Sequence, residues 1–541
     1  MSIRVRSLFV WLVVATGPAS LIAQDGAAPP AGIECDVLLK GGSILDGMGG
    51  DAVVGDVAIQ NDRIVAVGAF EVARAGRTID CTGLVVAPGF IDLHSHSDGA
   101  ITEPNTRSNA NYITQGCTTV VTGNCGSGPV DVAKYFEDVN SAGTGTNVIH
   151  LLPQGSLREK VMGKANRPPT AEELTEMKSL AEKAMNDGAI GMSTGLIYVP
   201  SSYAKTDELV EIAKVVAQHG GLYASHIRGE GNELLGSVDE AISIGRDAGL
   251  PVHISHFKAT GKNNWGTLRA AADLIERARK AGEPVTADQY PYVASSTSLE
   301  ATLIPTWASE GGRDELRRRL KDEKDLPRLR KAIADELAIG DLIMISSHSA
   351  RPQYVGREVR QIATDENRDV VDLVVEMHLE GAPRCVKFGM SEDDVQYAMA
   401  LPWVATASDG GATIASADRP HPRNFGTFPR KIGHYARDRK AVTLAHAVRS
   451  ATGLPADILR LTDRGYVRPG YVADIAVFDP ETVRDRATYE QPYQYSEGMR
   501  WVFVNGVPAI HDGTVTGALA GKAIKRPAAI KTANTPAGYF K

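Results

Sequence analysis

The sequence predicts an α/β protein: a (β/α)8 TIM-like barrel joined to a small β-sandwich built from both chain ends, with a helical insertion. Three observations carry that prediction. Through the middle of the chain, apolar strand-like runs alternate with amphipathic helical stretches at the spacing of one strand plus one helix. Eight such runs can be counted, GFIDLH, TTVVTGN, NVIHLL, AIGMSTGL, GLYASH, PVHISH, PVTADQY and WVATASD, and a closed parallel barrel has eight strands. Short β-like runs broken by turn residues occupy both flanks, and two flanks can share one domain when the part between them brings its ends together.

Composition narrows the class. A chain of 541 residues is long enough for a large core and several domains, and 43% hydrophobic with 23% charged residues is ordinary for a globular protein. A net charge of -7 without a basic stripe argues against a nucleic-acid partner. Residues 1–23 carry Arg4 and Arg6, an apolar run from Leu8 to Ala15, and small residues up to Ala23. This pattern reads as a secretory signal peptide cleaved near Ala23, because the run is well short of the roughly 20 residues of a membrane span. A secreted or periplasmic location, with no stable membrane span after cleavage, is the expectation. Five cysteines, Cys35, Cys81, Cys117, Cys125 and Cys385, are too few and too scattered for a disulfide framework. An odd number leaves at least one thiol free or bound to something, and Cys125 is the candidate.

Taken in order, residues 24–32 are rich in Ala, Pro and Gly and read as a linker. Residues 33–88 carry the first set of short strands, with Asn61 and Asp62 marking a hairpin between AIQ and RIVAV. The matching set, GYVADIAVFDP and RWVFVNGVPAIHDG, lies within 457–520, and the two sets together are expected to form the sandwich. Residues 89–456 are assigned to the barrel. Helices at 171–187 and 206–219 fill two of its gaps, with Lys and Glu on one side and Leu, Ala and Val on the other. More than one hundred residues separate PVTADQY from WVATASD. A helical insertion at about 299–345 is expected there, with its charge-dense run as a solvated face, and an extra strand-like run, DLIMISS, follows it. Residues 521–541 read as a C-terminal tail.

The chemistry gathers at strand ends. The stretch at residues 85–98, VVAPGFIDLHSHSD, is an apolar run ending in His94 and His96, which strand alternation puts on one face. A lone HxH pair is a weak metal signal. The second strand candidate runs into Gly123-Asn124-Cys125-Gly126, the fifth ends at His226, the sixth at His256 and the last at Asp409. Barrel active sites form at the C-terminal ends of the strands, so these six side chains converge. A single histidine at a strand end is more often a hydrogen-bonded core residue. Four at matching ends argue for a metal site, since neutral imidazole and thiolate are zinc ligands. His253 falls on the opposite face from His256 and is excluded, and Cys117 and Cys385 read as core.

The motifs PGFIDLHSHSD, TGNCG, ASHIRGE, ISHFKATG, DQYPYVASST, ASDGG and RPHPRNFGTFPR resemble the amidohydrolase superfamily and, within it, the D-aminoacylase (N-acyl-D-amino-acid deacylase) family. The resemblance covers nearly all of residues 35–513. It implies one tightly held Zn2+ bound by Cys125, His226 and His256, and a weak or variably occupied second site lined by His94, His96 and Asp409. It further implies that Asp409 is catalytic, that Lys258 and Arg423 pair with a substrate carboxylate, and that Tyr198, Tyr290 and Ser296 hold substrate or the oxyanion. The expected reaction is zinc-dependent hydrolysis of an N-acyl-D-amino acid to a carboxylate and a free D-amino acid. Its partner is a small molecule with a free carboxylate, and nothing in the sequence assigns an oligomeric state. Related readings keep the site but change the substrate to a dipeptide, a cyclic amide or an N-acyl-L-amino acid. A non-catalytic binding protein on the same fold would be signalled by lost ligands, and all six are present.

Overall fold

The computed structural model describes residues 32–527. The expected signal peptide and its cleavage point lie outside the described residues, as does the end of the chain from 528. Both flanks enter one nine-stranded sheet. The N-terminal side supplies Ile33–Ile44, Val53–Gln60, Arg63–Gly68, Val72–Asp80 and Val85–Pro88; the C-terminal side supplies Ile475–Phe478, Met499–Val504, Val507–His511 and Thr514–Val515. The seam is the antiparallel pairing of Val85–Pro88 with Ile475–Phe478, with Val86 opposite Val477. Leu39, Val57, Ile64, Ile475, Val477 and Phe503 close one core across the seam. The hairpin at Asn61 turns through a left-handed residue, φ 53°, a conformation asparagine tolerates better than most side chains.

The barrel strands are Phe90–Asp92, Cys117–Thr122, Asn147–His150, Gly191–Gly195, Leu222–His226, Val252–Ile254, Val285–Gln289 and Val404–Thr406, with parallel pairing throughout. The third strand continues past Leu151 into Leu152–Pro153, which pairs with the fourth. Closure comes beyond the ends of the first and last strands. Ser95 bridges Gly410, the His96 amide donates to Gly410 O at 2.6 Å, and the Asp409 amide donates to His94 O at 2.8 Å. Parallel strands covered by helices have no wet face, and every residue of Cys117–Thr122, Gly191–Gly195 and Leu222–His226 is buried. The helix Ala171–Asp187 starts with a capping box in which Thr170 and Glu173 satisfy each other's backbone N–H.

Three boundaries differ from expectation. The insertion runs from Ser295 to Phe388, not 299–345, and is built on a three-stranded antiparallel sheet of Ser295–Ser298, Arg384–Phe388 and Leu342–Ser347. The helices Leu299–Leu303, Leu326–Ala338, Val359–Asp365 and Val370–Glu380 each carry an apolar stripe, Arg313–Arg319 adds the single residue Leu316, and the sheet supplies the surface that buries them. Leu299, Leu329, Ile333, Ile345, Val374 and Cys385 form that second core. The helix Gly453–Ile458 straddles the expected boundary at 456/457. Its Leu454 and Ala456 pack with Ile91, Val121, Ile149 and Ala405, so it belongs to the barrel. The expected tail is docked over 521–527: the Ile524 amide donates to Val148 O at 2.8 Å, and Arg526 donates to Met185 O at 3.1 Å.

Candidate metal centre and substrate cavity

Six side chains from five strand ends form one cluster. Cys125 Sγ lies 3.2 Å from His94 Nε2, 3.6 Å from His226 Nδ1 and 3.8 Å from His256 Nε2. His256 Nε2 lies 2.7 Å from His226 Nδ1. On the other side, Asp409 Oδ1 is 3.1 Å from His96 Nε2 and 3.6 Å from His94 Nε2. Three overlapping groups result, His94–His96–Cys125, Cys125–His226–His256 and His94–His256–Asp409, with donor atoms within 4.8 Å of one another in each. A tetrahedral zinc with Zn–S of about 2.3 Å and Zn–N of about 2.0–2.1 Å sets sulfur and nitrogen roughly 3.6 Å apart. The Cys125 contacts to His226 and His256 match that spacing, and the donors are of zinc type.

The backbone that presents these donors is unusual. Cys125, His256 and Asp409 have φ of 52°, 36° and 50°, the left-handed region that side chains other than glycine and asparagine rarely enter. The cysteine loop is clamped from several sides. Gly123 N donates to Asp98 Oδ1 at 2.7 Å, Asn124 Nδ2 donates to Leu93 O and Val121 O, and Ser193 Oγ accepts from Gly126 N while donating to Gly123 O. A side chain at Gly123 would meet Leu151 O at 2.1 Å, so the turn that aims Cys125 requires glycine.

Two acids that the sequence reading passed over orient the imidazoles. Glu230 Oε1 lies 2.8 Å from His256 Nδ1 and also pairs with Lys258. Lys258 Nζ stands 2.8 Å from the same nitrogen. A neutral His256 that offers Nε2 as a ligand carries its proton on Nδ1, so the hydrogen bond goes to Glu230. Asp288 Oδ1 accepts from the His256 amide at 2.7 Å, while its Oδ2 stands 2.9 Å from His253 Nε2 and 3.4 Å from His94 Nδ1. Glu230 closes the motif ASHIRGE and Asp288 opens DQY, so both were visible as acids just beyond or within strand ends.

Burial alone would push the Cys125 thiol up. The charge of His94 and hydrogen bonds to His226, His256 and His94 override it and hold the thiol well below its ordinary value, which favours the thiolate. Burial likewise opposes ionisation of Asp409, but Arg423, His94 and His96 hold the carboxyl well below the carboxylate range. Glu230 is buried too, and Lys258 and His256 keep it ionised.

A cavity of about 600 Å³ opens over the cluster. Of the six donors, His96, Cys125 and Asp409 reach it, and His94, His226 and His256 stand behind them. Tyr198, Ser296 and Arg423 line it. Tyr198 sets its ring edge against His226 at 5.1 Å, and its hydroxyl lies 2.9 Å from Thr297 Oγ1. Arg423 Nη1 is 2.9 Å from Asp409 Oδ2, and Nη2 donates to Ser296 O at 3.2 Å. Lys258 and Tyr290 stand directly beside the donors and Arg423. Lys258 is buried with its ammonium committed to Glu230, the acceptor a buried cation needs, and Tyr290 lies under the Arg423 guanidinium at 4.7 Å with its hydroxyl towards Met390. Both lie in the layer that holds His94, His226 and His256, just behind the lining.

Comparison with known proteins places this geometry. The model of the amidohydrolase family matches residues 77–319 and 359–510. D-aminoacylase of Alcaligenes xylosoxydans xylosoxydans is 36% identical, across 91% of this chain and 98% of its own length. N-acyl-D-glutamate deacylase of the same organism is 34% identical, across 92% and 97%. The crystal structure of N-acyl-D-glutamate deacylase from Bordetella bronchiseptica, complexed with zinc and a phosphonate mimic of the tetrahedral intermediate, superimposes with a TM-score of 0.78 at 32% identity, covering 91% of this chain and all of that one.

Proposed function

The chain belongs to the amidohydrolase family, and from that premise we propose that it is a zinc hydrolase splitting N-acyl-D-amino acids into a carboxylate and a free D-amino acid. The observation that carries the reading is the meeting of Cys125, His226 and His256 beside Asp409, at the floor of a cavity whose wall holds Arg423. Cys125, His226 and His256 hold the principal zinc, and His94, His96 and Asp409 border a weaker second position. The bound ion supplies a Lewis acid for the scissile carbonyl and lowers the pKa of water. Asp409 takes a proton from the attacking water and delivers it to the leaving nitrogen. Arg423 keeps that carboxylate ionised and in place, and its remaining N–H groups face a substrate carboxylate. Tyr198 and Ser296 position the substrate from the cavity wall. Lys258 supports the site from behind, through Glu230 and His256.

The D-selectivity rests on the relatives named above. The zinc-loaded protein should hydrolyse N-acetyl-D-methionine and leave the L enantiomer untouched. Equal rates on the two would overturn the stereochemical part, and no amide hydrolysis on either would overturn the whole. We read residues 1–23 as an export signal, so the mature protein recovered outside the cytoplasm should begin near Gln24 by N-terminal sequencing.

A further inference from the structure

One wall of the cavity is a face of the inserted sheet, which reaches the metal cluster through the Arg423 contact from Ser296 to Asp409. In that sheet Arg384 pairs with Ser298 on one side and, across a β-bulge after Ile345, with Ser347 on the other. Directly opposed residues in antiparallel strands project to the same side, so the three side chains form a row. All three line the cavity, as does Ser296, two residues before Ser298 and on the same face. The other face, with Ile343, Ile345 and Cys385, is buried against the inserted helices.

Arg384 is exposed, and among the described residues no carboxylate stands within ion-pair distance of it. Arg423, the other arginine of the cavity, is already engaged by Asp409 and Ser296. Two acids also reach the cavity. Glu159 is answered by Lys164 at 3.5 Å, and Asp418 is exposed on the loop 411–420. The unanswered cation is therefore the one mounted on paired strands and flanked by hydroxyls. A guanidinium grips a carboxylate through two parallel N–H groups, and neighbouring hydroxyls can donate to the lone pairs left over.

Resting on the deacylase reading, we propose that the enzyme selects substrates carrying a second carboxylate, besides the α-carboxylate, and that Arg384 with the Ser298 and Ser347 hydroxyls reads it. That group can come from the D-amino-acid side chain or from the acyl moiety. Two isosteric pairs separate these sources on the zinc-loaded enzyme: N-acetyl-D-glutamate against N-acetyl-D-glutamine, and N-succinyl-D-leucine against N-succinamoyl-D-leucine. In one pair kcat/KM should favour the carboxylate by about tenfold or more, the range of a charge-assisted hydrogen bond. In Arg384→Ala, with its zinc content verified, that ratio should fall towards one. Turnover of all four substrates without a charge preference, or a preference that survives Arg384→Ala, overturns this proposal alone. A preference for N-acetyl-D-lysine over N-acetyl-D-glutamine would assign the selection to Asp418 and overturn it as well. No turnover on any of these substrates overturns the deacylase reading and this proposal with it.

Discussion

The two halves of the donor cluster are built differently. His226 and His256 stand behind the cavity wall, next to the clamped Cys125 loop, and His256 is oriented by Glu230. On the other half, the His96 side chain is 37% exposed, and Asp409 is divided among His94, His96 and Arg423. A resident ion is held best by fixed donors with no competing partner. A carboxylate shared with an arginine, facing open space, is suited to moving protons. The difference assigns holding to one half and chemistry to the other.

Cys125→Ser cuts deepest into that division. Losing the thiolate should strip the zinc and abolish turnover, as metal analysis after gel filtration would show, and full zinc retention would erase the distinction between the halves. Asp409→Asn should separate holding from chemistry: zinc stays while kcat falls about 10²–10⁴-fold, the span of general acid–base catalysis. Glu230→Gln sharpens the contrast from behind the closed half. Competition with a chromogenic chelator should report zinc affinity about 10- to 100-fold weaker, because the partner orienting His256 is no longer a carboxylate. The smallest effect belongs to His96→Ala, which should leave the first zinc equivalent in place and alter only how activity responds to zinc added beyond it.

Much of this was legible locally. His94, His226, His256 and Asp409 each end an apolar run, and a parallel strand buried on both faces makes such runs stand out. Glu230 and Asp288 were not picked out, because an acid near a histidine in sequence says nothing about which ring nitrogen it will face. The left-handed backbone at Cys125, His256 and Asp409 leaves no mark on residue type. The inserted sheet showed only its strand Leu342–Ser347, as the run DLIMISS, for a related reason. Ser295–Ser298 reads SSTS, with no apolar residue to betray a strand, and its partner Arg384–Phe388 lies almost ninety positions away. Lys258 carried the motif expected of a substrate contact, yet its burial beside Glu230 is a tertiary outcome.

Zinc K-edge X-ray absorption on protein loaded with one equivalent of zinc tests the division most directly. The account predicts one sulfur scatterer at about 2.3 Å together with imidazole nitrogens at about 2.0–2.1 Å. A shell of nitrogen and oxygen alone would place the resident ion on His94, His96 and Asp409 and contradict it.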